Sequence, residues 1–206
     1  MNTTIIGITG PSGSGKSSIL KEVKKLMGFF QVEVLSQDLY YRPAEEQAMD
    51  EQGKINFDLP KGIDHNRFVS DVQKLCSGEK LTKPAYNYNN PNAKNRILTF
   101  YSTKILFLEG LFLFDPFPID KFLDCRIYID SSNELNLVRR QRRDQTQRGQ
   151  SLEQINYQWI HHVLPTTEKY LLPQKKQADF ILQNKDSKRK SAQMLIDFLT
   201  QRGIYR

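Results

Sequence analysis

The most specific chemical signal in the chain is a glycine-rich run between Gly10 and Ser17, which reads G-P-S-G-S-G-K-S and matches the pattern G-x-x-x-x-G-K-[ST]. Glycine suits this chemistry because a Cβ would keep the backbone away from phosphate oxygens. Successive N–H groups and a following helix N-terminus supply positive potential. Lys16 is expected to reach the β- and γ-phosphates, and Ser17 offers a hydroxyl to Mg²⁺. The pattern predicts a triphosphate site formed by Gly10, Pro11, Ser12, Gly13, Ser14, Gly15, Lys16, Ser17 and Ser18.

Two carboxylates follow short apolar runs farther along the chain. Asp38 lies just after V-E-V-L-S, and Glu109 directly follows I-L-F-L. Ligands of open parallel sheets bind beyond the carboxyl ends of the strands, so we expect both carboxylates beside the phosphates. One can accept a proton from an attacking hydroxyl, and both can hold Mg²⁺ directly or through water. The predicted metal set is therefore Ser17, Asp38 and Glu109.

A basic cluster lies between residues 139 and 149. Arg139, Arg142 and Arg143 are three and four residues apart, so they share a helix face. A cationic helix that closes over a triphosphate would neutralise charge in the transition state of phosphoryl transfer. A solvated basic face or a nucleic-acid patch is the alternative, since the net charge of +7 favours anionic partners of either kind. We interpret 139–149 as a lid.

The elements that must position these residues alternate between strand and helix. Apolar runs predict strands at Thr4–Thr9, Val32–Ser36, 104–108, 125–129 and 178–182. Helical spacing predicts helices at Lys16–Met27, from Asp64 to Gly78, at Asn133–Arg148, at 152–164 with a stop at Pro165, and at 191–202. Residues 44–63 are expected to form a loop with a short helix at 44–52. Such alternation is typical of an α/β fold with a five-stranded parallel sheet between two helical layers.

Length and composition narrow the class of protein. A chain of 206 residues is about one ordinary domain, so we expect residues 1–206 to form one. The hydrophobic content of 38%, with 12 Phe and 9 Tyr, argues against a disordered chain. The apolar runs fall short of the roughly 18 residues that span a bilayer, and the N-terminus lacks a basic signal region. Cys76 and Cys125 provide neither a disulfide framework nor metal spacing, so a cytoplasmic location is expected.

Taken in order, these motifs resemble those of the uridine kinase (uridine–cytidine kinase) family of P-loop nucleoside kinases. The resemblance extends from Ile5 to about Leu182. Its segments are P-S-G-S-G-K-S-S in the loop, S-Q-D-L-Y-Y at 36–41, N-F-D-L-P at 56–60, K-P-A-Y-N-Y at 83–88, E-G at 109–110, R-R-Q-R-R-D at 139–144, R-G at 148–149, L-E-Q-I at 152–155 and L-P-Q-K-K-Q-A-D at 172–179.

The resemblance implies an ATP- or GTP-dependent, Mg²⁺-requiring kinase that converts uridine or cytidine to its 5′-monophosphate. It implies Asp38 as the general base, and Lys16, Arg139 and Arg143 as catalytic groups that stabilise the transferred phosphoryl. Its implied nucleoside-binding residues are Asp38, Tyr40, Asp58, Tyr86, Tyr88, Arg148 and Gln154. It also implies a β-rich substrate flap near 83–101 and a homotetramer, with no membrane or nucleic-acid partner.

Two departures from the family pattern leave the identity of the substrate undecided. A histidine that reads the pyrimidine edge in many members has no counterpart in residues 89–96, and Asn136 stands where an arginine is frequent. Loss of a polar group from a buried site shifts or relaxes specificity. The alternatives are a related kinase for nicotinamide riboside, pantothenate or ribulose phosphate, a nucleic-acid-linked NTPase, and a non-catalytic nucleotide-binding regulator.

Overall fold

The computed structural model describes residues 3–29, 31–86, 96–185 and 187–205. The strands in this part of the chain are β1 (Thr4–Thr9), β2 (Val32–Ser36), β3 (Ala48–Met49), β4 (Ile55–Asn56), β5 (Leu81–Pro84), β6 (Ile97–Phe100), β7 (Ile105–Glu109), β8 (Cys125–Asp130) and β9 (Phe180–Gln183). The α-helical segments are α1 (Lys16–Met27), α2 (His65–Cys76), α3 (Asn133–Arg148), α4 (Leu152–Gln158), α5 (Leu164–Thr166), α6 (Leu172–Lys175) and α7 (Lys188–Gln201).

The central sheet has the strand order β2-β7-β1-β8-β9 and is parallel throughout. This confirms the predicted five-stranded parallel sheet. In the register, Glu109 at the end of β7 is level with Ile8 of β1 and with Ser36 of β2. The loops that follow these three strands therefore leave the sheet side by side. They carry the glycine-rich run, Asp38 and Glu109 to one edge, where the strand order also changes direction.

Two hydrophobic cores lie on opposite faces of the sheet and make the fold three-layered. On one face α1 and α7 pack against the strands through Ile19, Leu20, Val23, Ala192, Leu195 and Leu199. On the other face α2 and the segment after β7 contribute Phe68, Val72, Leu75, Phe112, Leu113 and Phe114. Burial on both faces explains why β7 is apolar from Ile105 to Leu108 rather than alternating.

Helices α1 and α3 have the predicted bounds, and their ends follow from local chemistry. The Ser132 hydroxyl accepts a hydrogen bond from the Leu135 N–H and caps the start of α3. Gly149 ends that helix in the left-handed region at φ 66°, a conformation that favours glycine.

The prediction that a helix stops at Pro165 is wrong. Helical structure runs without a break from Leu152 to Lys175, and α4, α5 and α6 alternate with wide π-helical turns at Trp159–Val163 and Thr167–Leu171. In these turns the N–H groups bond the fifth preceding carbonyl, as from Leu164 to Trp159. Each wide turn comes just before a proline, where the missing N–H already interrupts the α-helical bonding. We call 152–175 the long helix.

Two smaller, two-stranded β-structures accompany the central sheet. Within 44–63 the chain forms a 3-10 turn at Ala44–Glu46 and an antiparallel hairpin of β3 and β4, so the expected short helix at 44–52 is wrong. Strands β5 and β6 pair antiparallel and form the base of the predicted flap. The flap residues 87–95, including Tyr88, lie outside the described residues. Among the described helices, none is long and apolar enough to cross a membrane.

Candidate active site

The glycine-rich loop connects β1 to α1. Its backbone passes so close to neighbouring backbone atoms that only glycine fits at the closest contacts. Gly13 has φ 84°, and a Cβ there would lie 2.3 Å from the backbone oxygen of Asn136 in the lid helix. Gly10 has φ 146°, and its Cβ would lie 2.3 Å from the Ile129 oxygen. The loop therefore sits directly under α3, with backbone N–H groups and the N-terminus of α1 available to an anion.

Lys16 lies at the centre of this loop. Its ammonium donates hydrogen bonds to the carbonyls of Gly10 (2.7 Å) and Pro11 (3.1 Å). Burial lowers the pKa of Lys16 to about 8, and the negative charges of Glu109 and Asp38 offset part of that effect. A phosphate group at this point would supply the counter-charge that the buried ammonium favours.

The oxygen atoms of Ser17 and Glu109 meet where the triphosphate is expected. Both Ser17 Oγ (2.9 Å) and Ser36 Oγ (3.1 Å) donate to Glu109 Oε1. Glu109 Oε2 is buried and has no hydrogen-bond partner in the described part of the chain. Burial, and then the negative charge of Asp38, raises the pKa of Glu109. A cation at Oε2 would give this oxygen a partner and would stabilise the ionised form of the carboxylate.

This set of donors fits Mg²⁺. Hydroxyl and carboxylate oxygens are the ligands that Mg²⁺ prefers, and the ion commonly uses one or two carboxylates together with substrate phosphates. Groups of three or more His, Cys, Asp or Glu side chains suited to a metal are absent from the described residues.

One open cavity of about 780 Å³ extends from the glycine-rich loop to a group of aromatic side chains, which we call the aromatic pocket. Its described lining includes the loop residues Ser12, Gly13, Gly15, Lys16, Ser17 and Ser18. It also includes the carboxylates Asp38, Asp58 and Glu109, and the arginines Arg139, Arg140, Arg142, Arg143 and Arg148. The volume is large enough for two ligands of nucleoside size. A phosphate donor and an acceptor can therefore occupy the same cavity.

The aromatic pocket consists of Tyr41, Phe57 and Tyr86. The ring centroids of Tyr41 and Tyr86 are 5.3 Å apart, and those of Tyr41 and Phe57 are 6.1 Å apart. Burial and the nearby charge of Asp38 raise the pKa of Tyr86 to about 12, so its hydroxyl stays protonated at neutral pH. Flat, apolar walls beside a carboxylate suit a planar base attached to a polar sugar.

Asp58 is held at the edge of this pocket by two backbone contacts. Its N–H donates to Asn56 Oδ1 (2.9 Å), and its carbonyl accepts from Thr166 Oγ1 of the long helix (2.7 Å). The Asp58 carboxylate lies 3.7 Å from the Arg140 guanidinium. The backbone is thus fixed while the carboxylate faces the cavity.

The lid helix α3 lies over the glycine-rich loop. Arg139 donates to the carbonyl oxygens of Ser14 and Asn184, both at 3.4 Å, and burial lowers its pKa. Arg140 donates to Ser12 Oγ and to Gln158 Oε1, both at 3.0 Å. Arg143 and Arg148 also line the cavity. The predicted lid therefore brings cationic side chains to the phosphate side of the site.

Two of the predicted nucleoside-binding residues lie elsewhere. Tyr40 is only 2% exposed and belongs to the core, where its hydroxyl donates to Asp71 Oδ2 at 3.0 Å. Its neighbour Tyr41 lines the cavity instead. Gln154 is exposed and absent from the described lining, because its side chain accepts from the Ser151 N–H and caps the long helix. Tyr88 lies outside the described residues.

Several lining residues were not predicted as site residues, and four of them make the contacts described above. Arg140 was noted only as part of the lid, while Tyr41, Phe57 and Gln158 were not singled out. Gln158 is four residues after Gln154, and so one helical turn farther along the long helix. The sequence contained a signal for this difference. Ser151, three residues before Gln154, indicates a capping box that occupies the Gln154 side chain, and this leaves Gln158, one turn later, as the residue available to the site.

The parallel sheet, the glycine-rich phosphate loop and the arginine lid together define a P-loop kinase. The sequence profile of the Phosphoribulokinase / Uridine kinase family matches residues 5–190, and the chain belongs to this family. A uridine kinase of Staphylococcus haemolyticus is 33% identical over 181 residues, which cover 88% of this chain and 87% of the relative.

Solved structures share the fold at low identity. A structure described as a possible uridine kinase from Bacillus stearothermophilus has a TM-score of 0.61 and 18% identity, covering 88% of this chain and 89% of that one. The phosphoribulokinase of Rhodobacter spheroides has a TM-score of 0.59 and 16% identity, covering 88% and 70%. At this identity the likeness is one of fold.

Proposed function

We propose that the protein transfers the γ-phosphoryl group of ATP to the 5′-hydroxyl of a pyrimidine nucleoside, uridine or cytidine. The observation that carries the proposal is a single cavity with a phosphate loop on one side and an aromatic pocket beside Asp58 on the other. The relatives named uridine kinase, which align over most of this chain, support a nucleoside as acceptor.

In this proposal the nucleoside lies with its base against Tyr86 and its ribose hydroxyls on Asp58. Asp38 accepts the proton of the 5′-hydroxyl as the oxygen attacks the γ-phosphorus, and ADP leaves. The charge of Asp38 influences Lys16, Glu109 and Tyr86, which supports its place between donor and acceptor. Positioning and charge stabilisation supply most of the catalysis in phosphoryl transfer.

Lys16, Arg139 and Arg143 stabilise the charge of the transferred phosphoryl. Arg148 lines the same cavity and is proposed to contact the nucleoside or its phosphate. Ser17, Glu109 and Asp38 would hold Mg²⁺, which neutralises the β- and γ-phosphate oxygens when bound. GTP remains a second possible donor. We also propose a cytoplasmic homo-oligomer, a tetramer by resemblance, whose mass light scattering would measure.

A nucleoside panel tests the proposal. The purified protein is incubated with Mg-ATP and, separately, uridine, cytidine, a purine nucleoside, nicotinamide riboside and pantothenate, and products are identified by mass spectrometry. Monophosphates of uridine and cytidine are the expected products. Product from nicotinamide riboside or pantothenate alone would replace the pyrimidine substrate. ATP hydrolysis stimulated by oligonucleotides, without a phosphorylated small molecule, would favour a nucleic-acid-linked NTPase.

A further inference from the structure

Asp144 is a fully buried carboxylate in the middle of the otherwise basic lid helix. Its side chain is 0% exposed, although α3 contains five arginines and few apolar residues. Burial of an ionised carboxylate is costly unless cations and hydrogen bonds surround it. The backbone carbonyl of the same residue accepts from the N–H groups of Gly149 and Gln150, so Asp144 also takes part in the hydrogen bonds at the C-terminal end of α3.

Three arginines contact the Asp144 carboxylate. Arg143 Nε lies 2.6 Å from Oδ1, Arg148 NH1 lies 3.3 Å from Oδ1, and Arg140 Nε lies 3.3 Å from Oδ2. All three guanidinium groups also line the cavity. One carboxylate therefore holds together three cations of the cavity lining that would otherwise repel one another.

Through Arg140, the group formed by Asp144 and its three arginines contacts both the phosphate loop and the side of the cavity that carries Asp58. That side chain donates to Ser12 Oγ in the phosphate loop and to Gln158 of the long helix, and it lies 3.7 Å from Asp58. Because Asp144 contacts the Nε edge of Arg140, the two terminal nitrogens are left for these partners. The position of Asp144 thus sets where Arg140 meets the loop and the sugar carboxylate.

We infer that Asp144 is a positioning residue that preorganises Arg140, Arg143 and Arg148 for phosphoryl transfer and competes with the triphosphate for them. The inference rests on the proposed kinase function. Two opposite effects follow from it. Loss of the carboxylate raises the positive potential of the site, which favours anion binding, and it also releases the arginines from their geometry, which slows the chemical step.

The test is a comparison of ATP binding with turnover in Asp144→Asn, which keeps the shape of the side chain and removes its charge. The dissociation constant for ATP is measured by calorimetry in EDTA, and kcat is measured with Mg-ATP and uridine. We expect ATP to bind about threefold more tightly than in the unaltered protein, while kcat falls at least about tenfold. A purely structural defect would weaken both together.

Asp71→Asn is the matched control. Asp71 is also a buried carboxylate, paired with Lys83 and Lys74, but it is absent from the described lining of the cavity. Its loss is expected to lower stability and to leave the affinity for ATP within about twofold. This control separates the general cost of a broken buried ion pair from the specific effect on the phosphate site.

ATP binding weakened more than threefold in Asp144→Asn, or kcat within threefold of the unaltered protein, would overturn the inference. If Asp144→Asn does not fold, the charge-compensated double variant Asp144→Asn/Arg148→Gln replaces it. There we expect ATP affinity near that of the unaltered protein and kcat below that of the single variant Arg148→Gln, because Arg140 and Arg143 are still released from their geometry. A kcat equal to that of Arg148→Gln would overturn the inference. The binding measurement needs no nucleoside, so its outcome is independent of whether the proposed acceptor is correct.

Discussion

At the scale of single residues, the proposed general base is the most exacting assignment. Asp38→Asn removes the proton acceptor and keeps the shape of the side chain. We expect turnover of uridine to fall by at least about a hundredfold, while ATP binding measured in EDTA stays within about threefold. Rate measurements at saturating ATP check this. Turnover within about tenfold of the unaltered protein, roughly 1.4 kcal/mol of barrier, would remove Asp38 from the role of base.

The lowered pKa of Lys16 predicts a pH dependence for nucleotide binding. Only the protonated ammonium attracts phosphate, and the pKa of Lys16 in the free protein is about 8. Affinity for ATP in EDTA is therefore full below about pH 8 and falls toward higher pH, by up to about tenfold per unit. Calorimetry from pH 7 to 9.5 measures this. Lys16→Met, as the control, binds weakly throughout, and the same slope in that variant would contradict the assignment.

Gln158 and Gln154 offer a matched pair on the long helix. Gln158 lines the cavity and accepts from Arg140, whereas Gln154 caps the helix outside the lining. We expect Gln158→Ala to raise KM for the nucleoside about fivefold, the effect of one lost hydrogen bond, and Gln154→Ala to leave it unchanged. Steady-state kinetics decide between them. A larger effect from Gln154→Ala would restore the interpretation based on sequence alone.

Strand ends and glycine spacing were enough to predict that Lys16, Asp38 and Glu109 lie together, and all three line one cavity. The sequence did not show which of two adjacent residues of the same type faces the cavity. Tyr40 and Tyr41 are adjacent at the end of a short 3-10 turn, and only the tertiary contact with Asp71 shows that Tyr40 points into the core. Such side-chain directions depend on packing partners far away in the chain.

At the scale of elements, a buried ion pair connects the flap to the turn that carries Asp38. Lys83 of β5 is 4% exposed and lies 2.8 Å from Asp71 of α2, whose carboxylate also accepts a hydrogen bond from the Tyr40 hydroxyl. The Lys83 ammonium also lies 3.8 Å from the centre of the Tyr40 ring. This contact fixes the base of the predicted flap, three residues before Tyr86, relative to the turn that carries Asp38.

We expect Lys83→Met to lower the free energy of unfolding by about 3 kcal/mol, because it leaves the buried Asp71 without its nearest cation. It should also raise KM for the nucleoside more than KM for ATP. Urea denaturation and steady-state kinetics measure the two effects. Lys74→Met is the control, since the half-exposed Lys74 contacts the same carboxylate at 3.3 Å and its loss should cost under about 1 kcal/mol. Equal losses in the two variants would contradict the account.

Element boundaries were predictable where the chain carries its own stop signals. Ser132 and Gly149 set the two ends of α3, and the helix at 16–27 begins directly after the glycine-rich run. The end of the helix at Pro165 was predicted wrongly because a proline normally ends a helix. The π-helical turns that let the long helix continue through Pro165 and Pro173 have no simple sequence pattern. The hairpin of β3 and β4 is too short to show strand alternation.

At the scale of the whole molecule, the parallel sheet brings residues 10–18, 38 and 109 together, although they are far apart in the chain. The basic balance of the sequence reflects in part the five lining arginines, whose charges face one cavity that also contains three carboxylates. This concentration of opposite charges at one sheet edge suits an anionic ligand with a bound cation. Nothing in the composition alone distinguished this site from a nucleic-acid surface.

Transfer of phosphate from Mg-ATP to uridine tests the central claim most directly. Initial rates of monophosphate formation are measured for uridine and for 5′-deoxyuridine, which keeps the base and the other hydroxyls but lacks the acceptor oxygen. The account predicts a saturable rate with uridine, coupled one to one with ADP formation, and no phosphorylated product from 5′-deoxyuridine. Equal ADP formation with both nucleosides and no monophosphate would show that the cavity hydrolyses ATP without transferring phosphate to a nucleoside.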